Sequence, residues 1–187
     1  TYCVGFLLEE GMVFASDTRT NAGLDQVAIA SKMHIFEVKN ERVIVLLTAG
    51  NLAITQSVVN SLKLKLSDTD SKHINNVDSL FEAAALVGDE MRATFARDGS
   101  FLKDHDIDFN ASILIGGQIK GEVPRLFNVY AAGNFIEINH ETPYVQIGET
   151  KYGKPIIDRV VKYNTDMMDA VKCLLISFDS TIRSNVS

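Results

Sequence analysis

The order of strand-like and helix-like segments is the feature of this sequence that most restricts its fold. Four apolar, β-branched segments come first, two segments with helical spacing follow, and three more strand-like segments precede a second pair of helices. Parallel sheets would need strands that alternate with helices, and this order does not provide that alternation. We therefore predict an α+β fold, a four-layer α-β-β-α sandwich of two antiparallel sheets.

Two hairpins are predicted in the first fifty residues. The polar turn Glu9-Glu10-Gly11 separates the first pair of apolar runs, and Lys39-Asn40-Glu41 separates the second pair. The polar stretch at residues 17–26 is expected to connect the hairpins. The four predicted strands cover residues 2–8, 12–15, 33–38 and 42–47.

Four helices are predicted from apolar residues spaced three and four positions apart. We expect Gly99 to end the second helix, and Thr165 to be the N-cap of the last one. Asp166 and Asp169 then lie in its first turn, where the helix dipole favours negative charge. The predicted helices cover residues 52–66, 80–99, 155–163 and 166–182.

Strand character returns between the two helix pairs. The predicted strands cover residues 111–115, 126–131 and 144–147. Gly116-Gly117, Gly133-Asn134 and Gly148 follow these strands and are interpreted as breaks. No repeat at a fixed period and no Gly-, Ser- or Pro-rich linker divides the sequence, so we predict one domain over residues 1–187. The sequence stops where a further strand is expected, so we predict that C-terminal strands are missing and that the biological chain is longer.

Charge and composition argue against several classes of partner. The 187 residues include 18 Lys and Arg against 24 Asp and Glu, and this formal net charge of -6 has the wrong sign for nucleic acid. No apolar run approaches the roughly 18 residues of a membrane span, and the first residues do not form an export signal. Cys3 and Cys173 lie far apart without metal-ligand spacing. We expect a soluble cytoplasmic protein with reduced thiols, no metal and no cofactor.

Thr1 is the residue with the clearest chemical potential. It carries a hydroxyl and, when it begins the chain, a free α-amine, and α-amines have an ordinary pKa of about 8. Asp17 and Lys32 lie at the ends of strand-like segments that antiparallel pairing can bring beside the first strand. An ammonium beside a hydroxyl favours its ionised form, and a carboxylate orients that ammonium. Taken alone, a threonine at position 1 is usually just an ordinary solvated terminus.

Five separate elements occur in an order and spacing typical of one family. They are Thr1, residues 11–20 (GMVFASDTRT), Lys32, Thr48-Ala49-Gly50 and residues 112–117 (SILIGG). The sequence resembles the proteasome β-type subunits of the N-terminal-nucleophile hydrolases along its whole length. The variants SDTRTNAG at residues 16–23 and KDHDIDFN at residues 103–110 are most similar to the bacterial ancestral-beta-subunit (Anbu) branch.

The resemblance implies the N-terminal-nucleophile hydrolase fold and a set of site residues. Thr1 is the implied nucleophile with its own amine as base, Asp17 and Lys32 support it, and the N–H of Gly50, placed at the start of a helix, forms the oxyanion hole. The implied supporting residues are Arg19, Glu149, Thr150 and Ser184. The implied substrate pocket is shallow and of mixed polarity, and consists of Thr20, Ala30, His34, Thr48, Leu52 and Gln56.

Two departures from the family pattern affect the expected activity. Gly148-Glu149-Thr150 replaces a Gly-Ser-Gly stretch near the nucleophile's amine, so a carboxylate replaces the proton-shuttling hydroxyl or Thr150 supplies it. Residues 181–184 keep only the serine of an Asp-x-x-Ser pattern. A carboxylate beside the amine stabilises its protonated form and weakens it as a base at neutral pH. We therefore expect weak peptidase activity.

The function implied by the resemblance is a bacterial threonine hydrolase that cleaves peptide or other amide bonds. One alternative is a small-molecule amidase with the same site, and another is a catalytically weak, self-assembling scaffold. The resemblance further implies a homo-oligomer, either a ring or an open spiral ring, that acts on peptides or unfolded proteins. It identifies no particular ATP-dependent unfoldase.

Overall fold

Two antiparallel sheets with helices on their outer faces form the protein in this computed structural model. The structure describes residues 1–21, 27–68 and 70–184, with the backbone alone at residues 19–21 and 27–29. In this part of the chain the strands are β1 (Tyr2–Leu8), β2 (Gly11–Ser16), β3 (Arg19–Asn21), β4 (Val27–Ile29), β5 (Met33–Val38), β6 (Arg42–Gly50), β7 (Ala111–Ile119), β8 (Arg125–Val129), β9 (Phe135–Glu137) and β10 (Tyr144–Gly148). The helices are α1 (Leu52–Lys65), α2 (Leu80–Asp104), α3 (Lys154–Val160) and α4 (Met167–Ser184).

Strand β1 is central in the first sheet, whose order is β10-β1-β2. The second sheet has the order β5-β6-β7-β8-β9, and β3 and β4 form a separate two-stranded ribbon. Both large sheets are antiparallel throughout. The register of β6 with β7 aligns Gly50 with Ala111, so the end of one strand lies beside the start of the other.

Three apolar cores join the four layers. Helices α1 and α2 cover the five-stranded sheet around Phe127, and the two sheets pack together through residues such as Leu47 and Ile147. Helices α3 and α4 cover the outer face of the three-stranded sheet, where Phe6 and Leu174 are buried. Each such side chain stabilises the fold by about 1.5–3 kcal/mol through removal from water. The predicted α-β-β-α sandwich is confirmed.

The strand predictions were correct in position for seven of the strands and wrong in two respects. Strand β7 continues through Gly116 and Gly117, which were interpreted as a break. A side chain at Gly116 would place Cβ only 2.8 Å from the Leu126 side chain and 2.9 Å from that of Met12, so the glycine lets the two sheets approach each other. Strands β3, β4 and β9 were not predicted, because three residues are too few to show a period of two.

The helix predictions were wrong mainly at the ends. Helix α2 passes through Gly99, where the Phe95 ring fills the space beside the glycine, and ends at Asp104. The cap of α4 is Asp166 and not Thr165: the Asp166 carboxylate accepts hydrogen bonds from the N–H groups of Met168 (2.9 Å) and Asp169 (3.1 Å). The Thr165 hydroxyl instead accepts a bond from Lys162 N–H at 2.8 Å. Of the helices described, none has the length and apolar character needed to cross a membrane.

The close pairing of β6 with β7 generates a stability prediction at Gly117. Its φ is +155°, and an added Cβ would lie 2.0 Å from the Val43 carbonyl oxygen, so Gly117→Ala must separate the strands. We expect a loss of about 3 kcal/mol or more in the free energy of unfolding, measured by urea denaturation. Gly121→Ala is the matched control, since its φ is +88° but no atom lies within 4 Å of the added Cβ. It should cost about 1 kcal/mol from backbone strain alone. Equal losses for the two variants would contradict the steric explanation.

Candidate functional site

The position of Thr1 is set by hydrogen bonds on both sides of its peptide bond. The Thr1 carbonyl accepts a bond from Glu149 N–H at 2.7 Å, and Tyr2 N–H donates to Asp17 Oδ1 at 2.8 Å. The Tyr2 carbonyl accepts from Asp17 N–H at 3.0 Å. Thr1 itself is exposed. The backbone that carries the predicted nucleophile is therefore held while its side chain faces solvent.

Lys32 and Asp17 form an ion pair beside this peptide. Lys32 Nζ lies 2.8 Å from both carboxylate oxygens of Asp17, and the side chains are 4% and 21% exposed respectively. Asp17 follows β2 and Lys32 precedes β5, so the pair links the two sheets at one end. Because Oδ1 accepts bonds from both Tyr2 N–H and Lys32 Nζ at 2.8 Å, those two nitrogens are no further apart than twice that distance. A direct bond between Lys32 and the Thr1 hydroxyl stays a prediction.

Thr1 opens into a cleft of about 510 Å³ between the ends of the two sheets. Its lining combines two glycine-containing segments, at Gly50 and at Gly148, with polar side chains, so the cleft is accessible and polar. The lining residues are Thr1, Ala49, Gly50, Asn110, Ser112, Gly148 and Glu149. Asn110 and Ser112 were not among the predicted site residues. In the sequence, the signal for them was that polar residues occur at the start of an otherwise apolar strand. In the structure, this start of β7 lies beside the Gly50 end of β6.

Gly50 is the last residue of β6 and directly precedes the N-cap of α1, so it lies just before the helix. Asn51 is the N-cap of α1, and its carboxamide oxygen accepts from Ala53 N–H at 3.0 Å. The N–H of Asn51 donates to the Asn110 carbonyl at 2.7 Å. Gly50 has φ +101°, and a Cβ there would lie 2.3 Å from Asn110 O, so only glycine fits. Backbone N–H groups at such a turn and at a helix start favour negative charge.

The predicted supporting residues lie at different distances from the cleft. Glu149 lines it, but its carboxylate accepts a bond from Lys151 N–H at 2.8 Å, and among the ion pairs of the described residues none joins it to the Thr1 amine. Thr150 lines a neighbouring depression with residues of α3 and is not part of the Thr1 cleft lining. Ser184 is the exposed last residue of α4.

The predicted substrate pocket falls on β5, β6 and α1, with only part of it described. Thr48 is buried, and its hydroxyl donates a hydrogen bond to the Lys32 carbonyl at 3.4 Å. It therefore helps to hold the Lys32 backbone in place. Burial and then the nearby Lys63 ammonium lower the pKa of His34, which favours a neutral imidazole at pH 7. Leu52 and Gln56 lie one turn apart on α1, and Ala30 is partly exposed. The side chains of Arg19 and Thr20 lie outside the described residues.

Cys3 is a thiol close to Thr1 in the chain and is by residue type a possible nucleophile. It is fully buried between the sheets, and burial, followed by the Asp17 carboxylate, raises the pKa of its thiol to about 12. The thiol therefore stays protonated at neutral pH, as the predicted buried, reduced thiol requires. Among the side chains that the structure describes, no group of three or more His, Cys, Asp and Glu residues is placed to hold a metal ion.

Solved structures of several bacterial proteins are similar to this chain over its whole length. Anbu (ancestral beta-subunit) from Yersinia bercovieri is 50% identical, with a TM-score of 0.93, and 76% of that chain is covered. The structure of a helical assembly of the Anbu complex from Pseudomonas aeruginosa gives 46% identity, a TM-score of 0.94 and the same coverage. Anbu from Hyphomicrobium sp. strain MC1 gives 48% identity, a TM-score of 0.87 and 77% coverage of that chain. All three comparisons cover 100% of the present chain.

A family model and the structural relatives agree on the family. A comparison with curated proteins found no match. The model for proteasome subunits, however, matches residues 1–187. The similarity to Anbu proteins that residues 16–23 and 103–110 predicted is confirmed by the structural relatives. With this match over its full length and relatives at 46–50% identity, the chain belongs to the proteasome subunit family.

Proposed function

We propose that this protein is an amide hydrolase in which Thr1 is the nucleophile. The observation that carries the proposal is the Lys32–Asp17 pair, which is held by two contacts of 2.8 Å and shares Asp17 Oδ1 with the N–H that follows Thr1. In our proposal the Thr1 hydroxyl lies beside this fixed cation, which makes the hydroxyl a better nucleophile. The open polar cleft gives a substrate carbonyl access to it.

The proposed reaction proceeds in two steps on this chain's own groups. Thr1 Oγ attacks the amide carbonyl carbon and passes its proton to the Thr1 α-amine. The N–H of Gly50 stabilises the oxyanion that forms. The C–N bond then breaks, the leaving amine takes up the proton, and an ester on Thr1 remains. Water, deprotonated by the same amine, hydrolyses that ester and restores Thr1.

The substrate class follows from the shape of the site. A cleft that is open and lined partly by backbone can accept an extended peptide, whose main-chain groups would pair with strand ends. We therefore favour peptides or unfolded proteins as substrates. We further propose that residues 1–187 form one proteasome β-subunit-like domain and that the protein acts in the cytoplasm. A small-molecule amidase uses the same groups, and turnover of peptides against small amides separates the two.

A catalytically weak scaffold is the second candidate function. Glu149 favours it, because a carboxylate lines the cleft beside the peptide of Thr1 and can stabilise a protonated amine. The Pseudomonas aeruginosa relative was solved as a helical assembly. By analogy we propose that the present protein forms a homo-oligomer, as a ring or open spiral, whichever of the two functions holds.

The first prediction concerns the nucleophile itself. A fluorescent β-lactone acylates hydroxyl nucleophiles by ring opening, so the wild-type protein should gain one probe per chain on Thr1, located by peptide mass mapping. Thr1→Ala should abolish this label because the oxygen is gone. Mass measurement of the purified native protein should show Thr1 as the first residue. Equal labelling of the Thr1→Ala variant, or a labelled chain that retains residues before Thr1, would contradict the proposal. The catalytically weak scaffold would then be the remaining candidate function.

The second prediction concerns the cation. Lys32→Met should slow labelling of Thr1 about a hundredfold, since the charge that favours the ionised hydroxyl is lost. Lys65→Met is the matched control: Lys65 also pairs with a buried carboxylate, that of Glu90, but between α1 and α2. The control should label at the wild-type rate. Melting temperatures of both variants would show whether any change reflects unfolding, and equal rates for the two variants would remove Lys32 from the mechanism.

The third prediction concerns assembly. Light scattering should give a mass several times that of the 20.6 kDa chain, and this mass should persist on dilution to low micromolar concentration. The Thr1→Ala variant should assemble in the same way, because Thr1 faces the cleft. A mass near that of one chain at every concentration would remove both the assembly and the scaffold candidate.

A further inference from the structure

A buried chain of hydrogen bonds lies directly behind Thr1, on the other side of the sheet from the cleft. The Tyr2 side chain points toward α4 and is 3% exposed. Gln146 Nε2 donates to the Tyr2 phenol oxygen at 2.5 Å, and this phenol donates to the Ser177 hydroxyl at 3.1 Å. Ser177 in turn donates to the Leu174 carbonyl at 2.7 Å. The Tyr2 and Ser177 hydroxyls thus each accept one hydrogen bond and donate one. The chain of hydrogen bonds runs from β10 through β1 to α4.

The phenol has little freedom in this position. A Cβ on Gly153 would lie 2.0 Å from the Tyr2 oxygen, so the backbone before α3 closes over it. The Phe178 ring contacts the Tyr2 ring edge-on, with centroids 4.7 Å apart. Burial is the main cause that raises the pKa of Tyr2, so the phenol remains a protonated donor at neutral pH. The side chain is therefore held by the Phe178 ring and at its polar end.

The restraint on Tyr2 reaches Thr1 through one peptide bond. The backbone bonds of that peptide to Asp17 and Glu149 fix its hydrogen-bonding direction. They leave small rotations and shifts along the strand possible, because N–H···O geometry is tolerant. A ring anchored to α4 removes those motions. Nucleophilic attack is sensitive to displacements of this size, since reacting atoms must meet in a narrow geometry.

We propose that Tyr2 is a positioning residue that holds Thr1 in its reactive placement by anchoring the first strand to Gln146 and to Ser177 on α4. This inference rests on the proposed function of Thr1. It adds that helix α4, on the far side of the sheet, helps to set the reactivity of the cleft. No part of the anchor contacts substrate, so its removal should alter the rate of the chemical step and leave binding unchanged.

The test compares two tyrosines on the same sheet face. Tyr2→Phe keeps the ring and removes the anchor, and it should slow β-lactone labelling of Thr1 and lower kcat about tenfold, with KM changed less than about twofold. Ser177→Ala should act in the same direction by about threefold. Tyr144→Phe is the control, because Tyr144 is also buried against the helices and its phenol accepts a bond from Lys154 Nζ at 3.2 Å. It should keep the wild-type rate.

The final extent of labelling separates positioning from simple destabilisation. A positioned but slower nucleophile still reaches one probe per chain, whereas a partly unfolded population stops below one. A Tyr2→Phe rate equal to that of Tyr144→Phe, or an unchanged rate with a lower extent, overturns the positioning role while leaving Thr1 as nucleophile. Labelling that Thr1→Ala does not abolish overturns the proposed function and this inference with it.

Discussion

The Asp17 carboxylate is the group on which the arrangement of the site depends. One of its oxygens accepts bonds from both the first strand's N–H and Lys32, and the other accepts a second bond from Lys32. These contacts tie the start of β1, the end of β2 and the segment before β5 to one another. Lys32 is buried, and removing one partner of a buried ion pair costs about 3 kcal/mol or more. The pair therefore stabilises the fold of this end of the sandwich, and in the proposed mechanism it also supports the chemistry.

The opposite wall of the cleft depends on backbone packing instead of charge. Gly50 and Asn110 approach so closely that no side chain fits between them, and Asn51 then begins α1 at once. The turn is thus fixed by the β6–β7 register on one side and by the helix cap on the other. Backbone N–H groups in a turn that is fixed in this way need little rearrangement when negative charge develops near them.

The layers of the fold could be predicted from the sequence because long segments show their period. The prediction was least accurate where glycine has a packing role: Gly116 and Gly99 lie inside elements that they were expected to end. The site was predicted in part. Thr1, Asp17 and Lys32 follow from a resemblance in motif order, but Asn110 and Ser112 enter the cleft only through the register that aligns β7 with the end of β6. A shift of that register by one residue would have placed different side chains there, and the pattern of apolar segments does not show which residues pair across the two strands.

Side chains alternate along β1, so this one strand packs against the helix layer on one face and against the second sheet on the other. Cys3 points between the sheets and Tyr2 points toward α4, as a period of two requires. Thr1, which precedes Tyr2, therefore falls on the side of Cys3, where the cleft lies. Burial of the Tyr2 ring and its bond to Ser177 favour this register, since a shift by one residue would bring a phenol into the space between the sheets. Placement of Thr1 in the cleft is in this sense a consequence of an aromatic residue that fits the opposite face.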